Sequence, residues 1–195
     1  MEQELFDILS ELEMQAEREK LRNLPADQRL NGLDPDAAKF ISLLVISQKA
    51  KSIVEVGSGA GYSTLWLAYA ASITGGQVLS CEIDPAKAAQ ARTNLAKAGL
   101  SSVVEILVGD ARQTLRQRGE PVDFLFIDGD FGQYETYFDV VYKRMSVGST
   151  IVADDILEHE NELADYTTYV QNHPNLESVT VPVGFGLEFT VKTAE

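Results

Sequence analysis

The segment Ile53-Val-Glu-Val-Gly-Ser-Gly-Ala-Gly-Tyr-Ser63 decides the reading of this chain. Ser52 to Val56 is a short β-branched run with the character of a buried strand. Three glycines at alternate positions follow, and a helix-like run extends from Tyr62 to Ala71. A strand that turns into a helix through glycines makes a nucleotide cradle. Gly57, Gly59 and Gly61 let the backbone turn tightly and approach a ligand. Dinucleotide sites use the spacing G-x-G-x-x-G to seat a pyrophosphate on a helix N-terminus. Here the spacing is G-x-G-x-G, with Glu55 two residues upstream. A carboxylate there repels a pyrophosphate but suits an amino-acid ammonium, which points to S-adenosylmethionine. The plain alternative is a glycine turn in an ordinary α/β protein.

A second strand-like run, Gln77 to Ile83, ends near Glu82. An acidic residue about 20 positions past such a loop binds ribose hydroxyls in α/β nucleotide folds. A carboxylate can accept both hydrogen bonds of a vicinal diol, although Glu82 can also be read as an exposed strand-end charge.

The 195 residues suit one domain with a substantial core. The net charge of −14 argues against a nucleic-acid partner, since the basic cluster Arg18, Lys20 and Arg22 is interleaved with Glu17 and Glu19. Cys81, the single cysteine, lies in a strand-like run and reads as a small core residue. The N-terminus lacks the pattern of a signal peptide, and no apolar run is long enough to span a bilayer. These features together predict a cytoplasmic protein with no membrane contact.

The rest of the chain alternates strands and helices. An amphipathic segment runs from about Glu2 to Leu24, with Leu5, Ile8, Leu9, Leu12 and Met14 near helical spacing. Leu24 to Asp27 breaks it, giving an N-terminal helical segment over residues 1–30, and the loop Asn31 to Pro35 follows. Helices are predicted over 36–48, 62–72, 85–98, 111–118, 133–145 and 161–172. Asp84, Pro85 and Gly99 punctuate the third of these. Strands are predicted over 52–56, 77–83, 103–108, 122–127, 150–153, 177–183 and 186–192. The last two form an antiparallel hairpin around Gly184-Phe185. This order predicts a single α/β domain with a doubly wound, mostly parallel seven-stranded sheet and helices on both faces. Ligands of such sheets sit beyond the carboxyl ends of the strands. Those ends carry Glu55, Glu82, Asp110, Asp128 and the pair Asp154-Asp155. Asp128, Asp154 and Asp155 come from neighbouring strands and have no visible counter-charge. A hard divalent cation would relieve their repulsion: Mg²⁺ before Ca²⁺ or Mn²⁺. Alternatively, the pair caps the next segment and Asp128 orders a turn.

The motifs V-E-V-G-S-G-A-G-Y-S-T-L-W-L-A (54–68), C-E-I-D (81–84), N-L-A-K-A-G (94–99), G-D-A (109–111), F-I-D-G-D-F-G-Q-Y-E-T-Y (126–137) and I-V-A-D-D-I-L (151–157) together carry a specific resemblance. The chain resembles the cation-dependent class I O-methyltransferases, which include catechol and caffeoyl-coenzyme A O-methyltransferases and small bacterial relatives. The resemblance implies a class I methyltransferase fold, S-adenosylmethionine as cofactor, a small hydroxylated acceptor and a homodimer. It implies that Gly57, Gly59 and Ser63 hold the methionine part of the cofactor, with Leu33 and Glu55 beside it. Ser58, Gly61, Tyr62 and Asp128 would also line the cofactor site. Glu82 would take the ribose, Ile83 would flank the adenine, and Asp110 and Ala111 would meet its edge. Asp128, Asp154 and Asp155 fall on the metal positions.

The chain departs from the family pattern in three places. Asp154-Asp155 replaces the usual Asp-Asn, and Leu157-Glu158-His159 replaces a Trp-Gly. Phe131 stands where the family places the lysine that takes the acceptor proton. The two catalytic candidates are therefore Asp128 and His159, the latter either a substitute base or an ordinary loop histidine. Two rival functions share the fold: a hydroxyuridine tRNA methyltransferase, disfavoured by the charge, and a cofactor-binding protein that has lost catalysis. A nicotinamide dehydrogenase is excluded by the loop spacing.

Overall fold

The computed structural model describes residues 2–22 and 32–195. The expected helix break at 24–27 and the first residue of the following loop, Asn31, lie outside them. Among the described residues the α-helices are α1 (Glu2–Leu21), α2 (Pro35–Ser47), α3 (Tyr62–Thr74), α4 (Pro85–Lys97), α5 (Ala111–Thr114), α6 (Tyr134–Tyr142) and α7 (Glu160–Gln171). Seven strands are β1 (Ser52–Val56), β2 (Gln77–Glu82), β3 (Val104–Val108), β4 (Val122–Ile127), β5 (Met145–Ala153), β6 (Leu176–Val181) and β7 (Leu187–Lys192). They form one sheet in the order β3-β2-β1-β4-β5-β7-β6. Only β7 runs antiparallel, against both β5 and β6.

Side-chain alternation assigns each strand residue to one of two cores. Ile53, Phe124 and Phe126 face α1 to α4, whereas Val54, Leu125 and Ile127 face α5 to α7. Burial on both faces requires an apolar run without polar relief, and β4 supplies it with Phe124 to Ile127 fully buried. Local signals set the helix starts. Asp34 accepts from the backbone N–H groups of Asp36 and Ala37 with Pro35 at the first position, and Asp84 caps α4 in the same way ahead of Pro85.

Leu5, Ile8, Leu9 and Leu12 of α1 are buried, but Met14 is about half exposed and lies off the stripe. Phe6 packs edge-on against Trp66 of α3 at 6.0 Å, and the Tyr62 hydroxyl donates to Glu13 at 2.6 Å. The apolar stripe of α1 is thus buried within its own chain. Among the described residues no helix is long and apolar enough to cross a membrane.

Several boundaries differ from expectation. The helix predicted over 133–145 ends at Tyr142, and β5 begins at Met145 rather than 150. The pairing Val122 with Met145 is followed by an irregularity before Phe124 meets Thr150. Ser149 stabilises it, accepting from the Ser146 N–H and donating to the Val122 carbonyl. Ser146, Val147 and Gly148 are all exposed, so this stretch carries no burial pattern for a hydrophobicity reading to find. The helix predicted over 111–118 is α5 followed by a 3-10 turn at Leu115–Gln117. The hairpin connection spans 182–186, longer than the tight turn expected at Gly184-Phe185.

The parallel strands β1 and β4 are neighbours, and the chain leaves them in opposite directions. That reversal opens a crevice beyond their carboxyl ends. Here Gly57 adopts φ +94°, and a Cβ on it would lie 1.8 Å from the Asp128 carbonyl oxygen. Gly57→Ala is therefore expected to destabilise the protein by roughly 2–5 kcal/mol, through left-handed strain plus overpacking. A urea midpoint equal to that of the unsubstituted protein would contradict this packing.

Candidate active site

The site is built from the loops that leave β1, β2, β3, β4 and β5. The glycine loop after β1 is pinned from three sides. The N–H groups of Gly57 and Ser58 donate to the Cys81 carbonyl. The Gly59 N–H donates to Glu82 at 2.7 Å. Buried Asn94 of α4 donates to the Ala60 carbonyl at 2.9 Å. A Cβ on Gly61 would sit 3.0 Å from Ala91 of α4. Gly57 and Gly61 are thus required by backbone crossings, which corrects the idea that every glycine serves the approach of a ligand. Gly59 has φ +51°. Gly61 opens α3 without a side-chain cap, so the first N–H groups of that helix, from Tyr62 and Ser63 onward, form an electropositive end. Tyr62 and Ser63 are themselves buried, and the Ser58 hydroxyl is buried without a hydrogen-bond partner.

Glu55 shares a sheet face with Ile53, turned toward α3. Thr64 and Ser80 donate to one of its carboxylate oxygens at 2.6 and 2.5 Å. Burial pushes its carboxyl upward, opposed by the hydroxyls of Ser63, Ser80 and Thr64. Its other oxygen is buried and unpartnered. Glu55 is fully buried in the sheet rather than exposed beside the loop.

Glu82 is also buried, and its two oxygens accept from the Gly59 and Asp84 N–H groups. Those bonds fix the carboxylate and leave further lone pairs free. Ile83 is 72% exposed, an unusual setting for its apolar side chain. Across the crevice Asp110 caps α5 and pairs with Arg112, whose guanidinium holds its carboxyl below the usual range. Arg112 also donates to Gln133 at 2.8 Å, tying this loop to the one after β4. Ala111 and Leu33 are buried. Arg112 and Asn94 were not singled out as site residues; their roles depend on long-range partners that no local pattern displays.

Asp128, Asp154 and Asp155 come together, each offering an oxygen within 4.8 Å of the others. Burial, then the charges of Asp154 and Asp155, push the Asp128 carboxyl well above its usual range. Burial and Asp155 push Asp154 up to about 7. Burial raises Asp155 too, opposed by His159 and reinforced by Glu158. One Asp154 oxygen is buried without a partner. Asp155 sits at φ +66°, a left-handed conformation that short Asp and Asn side chains tolerate. All-oxygen donors, an orphaned carboxylate atom and mutual repulsion fit a hard divalent cation.

His159 precedes α7, and its ring lies 4.4 Å from that of Phe131, tilted by 38°. Its Nδ1 is 3.8 Å from a Glu162 oxygen, beyond hydrogen-bond reach. The hairpin tip closes this side. The Phe185 carbonyl accepts from the Leu157 and Glu158 N–H groups, and Gly186 accepts from Ile156.

Residues 7–191 match a family model described as O-methyltransferase. A catechol O-methyltransferase of Niastella koreensis is 38% identical over 140 residues, covering 70% of this chain and 63% of that protein. One from Mycobacterium tuberculosis is 36% identical over 128 residues, covering 65% of this chain and 58% of the relative. The matches therefore span a little under two thirds of these relatives' lengths. An O-methyltransferase structure from Bacillus cereus, in complex with S-adenosylhomocysteine, superposes with a TM-score of 0.80 at 28% identity, covering 96% of this chain and 91% of that one. On these matches the chain belongs to the O-methyltransferase family.

Proposed function

We propose that the protein transfers a methyl group from S-adenosylmethionine to a hydroxyl of a small, catechol-like acceptor, with a divalent cation at Asp128, Asp154 and Asp155. The observation that carries this reading is the unpaired acidic cluster beside a helix N-terminus that no side chain caps. The cofactor supplies an electrophilic methyl on a sulfonium. The N–H groups opening α3, with Gly59 and Ser63, receive its amino-acid end, and the rigid Glu82 carboxylate accepts from the ribose hydroxyls. Ile83 and Ala111 flank the adenine, and Asp110, held by Arg112, lies at its edge. Leu33, Ser58, Tyr62 and Asp128 bound the methionine side. Gly57, Gly61 and Glu55 act from beneath by shaping the loop.

A cation bound by the three aspartates would lower the pKa of a coordinated hydroxyl. Phe131 cannot take the proton. His159 stacks on it and is the imidazole beside Asp155, so it accepts the proton from the acceptor hydroxyl. Holding methyl and oxygen in near-attack geometry can contribute on the order of 7–11 kcal/mol. Phe131 also supports a second reading, a cofactor-binding protein without turnover. Methyl transfer from labelled S-adenosylmethionine to a panel of catechols, with and without Mg²⁺, separates the two.

Four variants test this reading. Glu82→Ala should weaken S-adenosylhomocysteine binding at least tenfold by calorimetry, since each charge-assisted bond is worth about 1.5–3 kcal/mol. Unchanged affinity would remove Glu82 from the cofactor site. Asp128→Asn should abolish both turnover and the thermal stabilisation that Mg²⁺ gives. Without metal, the same variant should melt no lower than the parent, because it relieves repulsion. Activity that survives chelation would refute the cation. Phe131→Lys should raise the neutral-pH rate on a simple catechol, where a general base contributes roughly 100- to 10,000-fold. His159→Gln should lower that rate in the parent, and a pH–rate profile indifferent to His159 would exclude it as the base.

A further inference from the structure

A side-chain bridge joins the loop after β3 to the loop after β4. β2 and β1 lie between those strands, so their ends stand three strand spacings apart, about 14 Å. Arg112 spans the gap. Its Nε donates to both Asp110 carboxylate oxygens at 3.0 Å, and its Nη2 donates to Oδ2 at 2.6 Å. Its Nη1 donates to the Gln133 side-chain oxygen at 2.8 Å. The Arg112 backbone N–H donates to Asp110 Oδ1 at 2.9 Å. Three donors therefore act on a carboxylate with about four acceptor sites, which leaves one free. The Asp110 side chain is 19% exposed, so a ligand can reach it.

Gln133 is a fixed anchor for this bridge. It ends the 3-10 turn Phe131–Gln133, which Asp130 caps. The Asp130 carboxylate accepts from the Gly132 N–H at 3.2 Å, and its carbonyl accepts from the Gln133 N–H at 2.9 Å. The next residue, Tyr134, is buried, with its ring edge-on to Phe131 and Tyr166. The Arg112 side chain is itself 41% exposed, so the outward half of its guanidinium would otherwise turn to water. Pinned at both ends, the guanidinium keeps its carboxylate partner in one orientation before a ligand arrives.

Resting on the proposed reading of Asp110 at the adenine edge, we propose that Gln133 is a positioning residue for the adenine end of the cofactor: its oxygen holds the Arg112 guanidinium, which aims the Asp110 carboxylate at the exocyclic amine of the base. A carboxylate only accepts, and that amine is a donor, so the two are complementary. The pair Arg118 and Glu105 provides the contrast. It links the chain after α5 to the start of β3, at the strand end away from the crevice.

Adenosine and purine riboside differ only in the exocyclic amine. Their binding to the full chain, measured by displacement of S-adenosylhomocysteine in calorimetry, tests the proposal. The parent should prefer adenosine about tenfold or more. Gln133→Leu should weaken adenosine about 2- to 10-fold while leaving purine riboside unchanged. Gln133→Glu, which still offers an oxygen to Arg112, should keep the parent's preference, and Glu105→Gln should not alter it. A merely structural glutamine would weaken both nucleosides alike or neither, and either result overturns the proposal while the Asp110 reading stands. Loss of the preference in Gln133→Glu as well would also overturn it, since the bond to Arg112 would not be the cause. No preference in the parent, or one that Asp110→Ala leaves intact, would instead overturn the Asp110 reading and the proposal with it. Should Gln133→Leu fold poorly, Gln133→Ala is read by the same comparison.

Discussion

The contact between Gly57 and the carbonyl of Asp128 governs the site. The two residues follow directly on β1 and β4, the neighbouring strands at which the chain reverses direction across the sheet. The Asp128 carbonyl occupies the space a Cβ of residue 57 would need, 1.8 Å away. The Asp128 N–H also donates to the Val56 carbonyl. One backbone crossing therefore holds the glycine loop and the first residue of the acidic cluster in register. Glycine loop and acidic cluster are neighbours because of a missing methyl group, and neither can shift without the other.

The strand ends gather more negative charge than a crevice tolerates, and each carboxylate resolves this differently. Glu55 is bound by two hydroxyls inside the sheet. Glu82 takes two backbone N–H groups, and Asp110 takes a guanidinium. With Glu82 and Asp110 partnered and Glu55 held through one oxygen, Asp128, Asp154 and Asp155 remain; burial raises all three, and repulsion within the cluster adds to it at Asp128 and Asp154. Repulsion concentrated in one place is the physical sign of a group the polypeptide does not supply. The partnered carboxylates are as informative, since they show that this chain neutralises rim charges wherever a donor is available.

Much of this was legible in the sequence where one local force dominates. β1 and β4 appear at their predicted limits; in β4 two-sided burial demands the apolar run Phe124 to Ile127, and β1 ends where its β-branched residues give way to Gly57. The start of α4 follows from Asp84 and Pro85. The acidic cluster followed from listing strand ends, as topology alone brings them to one rim. What stayed hidden depended on facing and distant partners. Counting by twos from Ile53 puts Glu55 on the α3 face, and only the hydroxyls of Thr64 and Ser80 make that burial tolerable. The glycine at 57 looked like an adaptation to a ligand, whereas the nearest obstacle is a carbonyl 71 residues further along the chain. Tyr134 packs its ring against Phe131 and Tyr166, and its orphaned hydroxyl is visible only once the strands converge.

Phe131 and His159 form one structural unit. They stack at 4.4 Å beside Asp155 although 28 positions separate them. A flexible lysine at 131 would bring its own charge to the cluster and need no support. An imidazole just ahead of α7 needs its ring plane fixed, and no hydrogen bond to its ring among the described residues does so; Glu162 is too distant at 3.8 Å. The Phe131 ring supplies that constraint by contact. On the proposed reading of His159 as the base, the apolar residue at 131 is its platform. On this argument the two positions are coupled, and removing the aromatic ring should loosen His159 even though Phe131 takes no part in proton transfer itself.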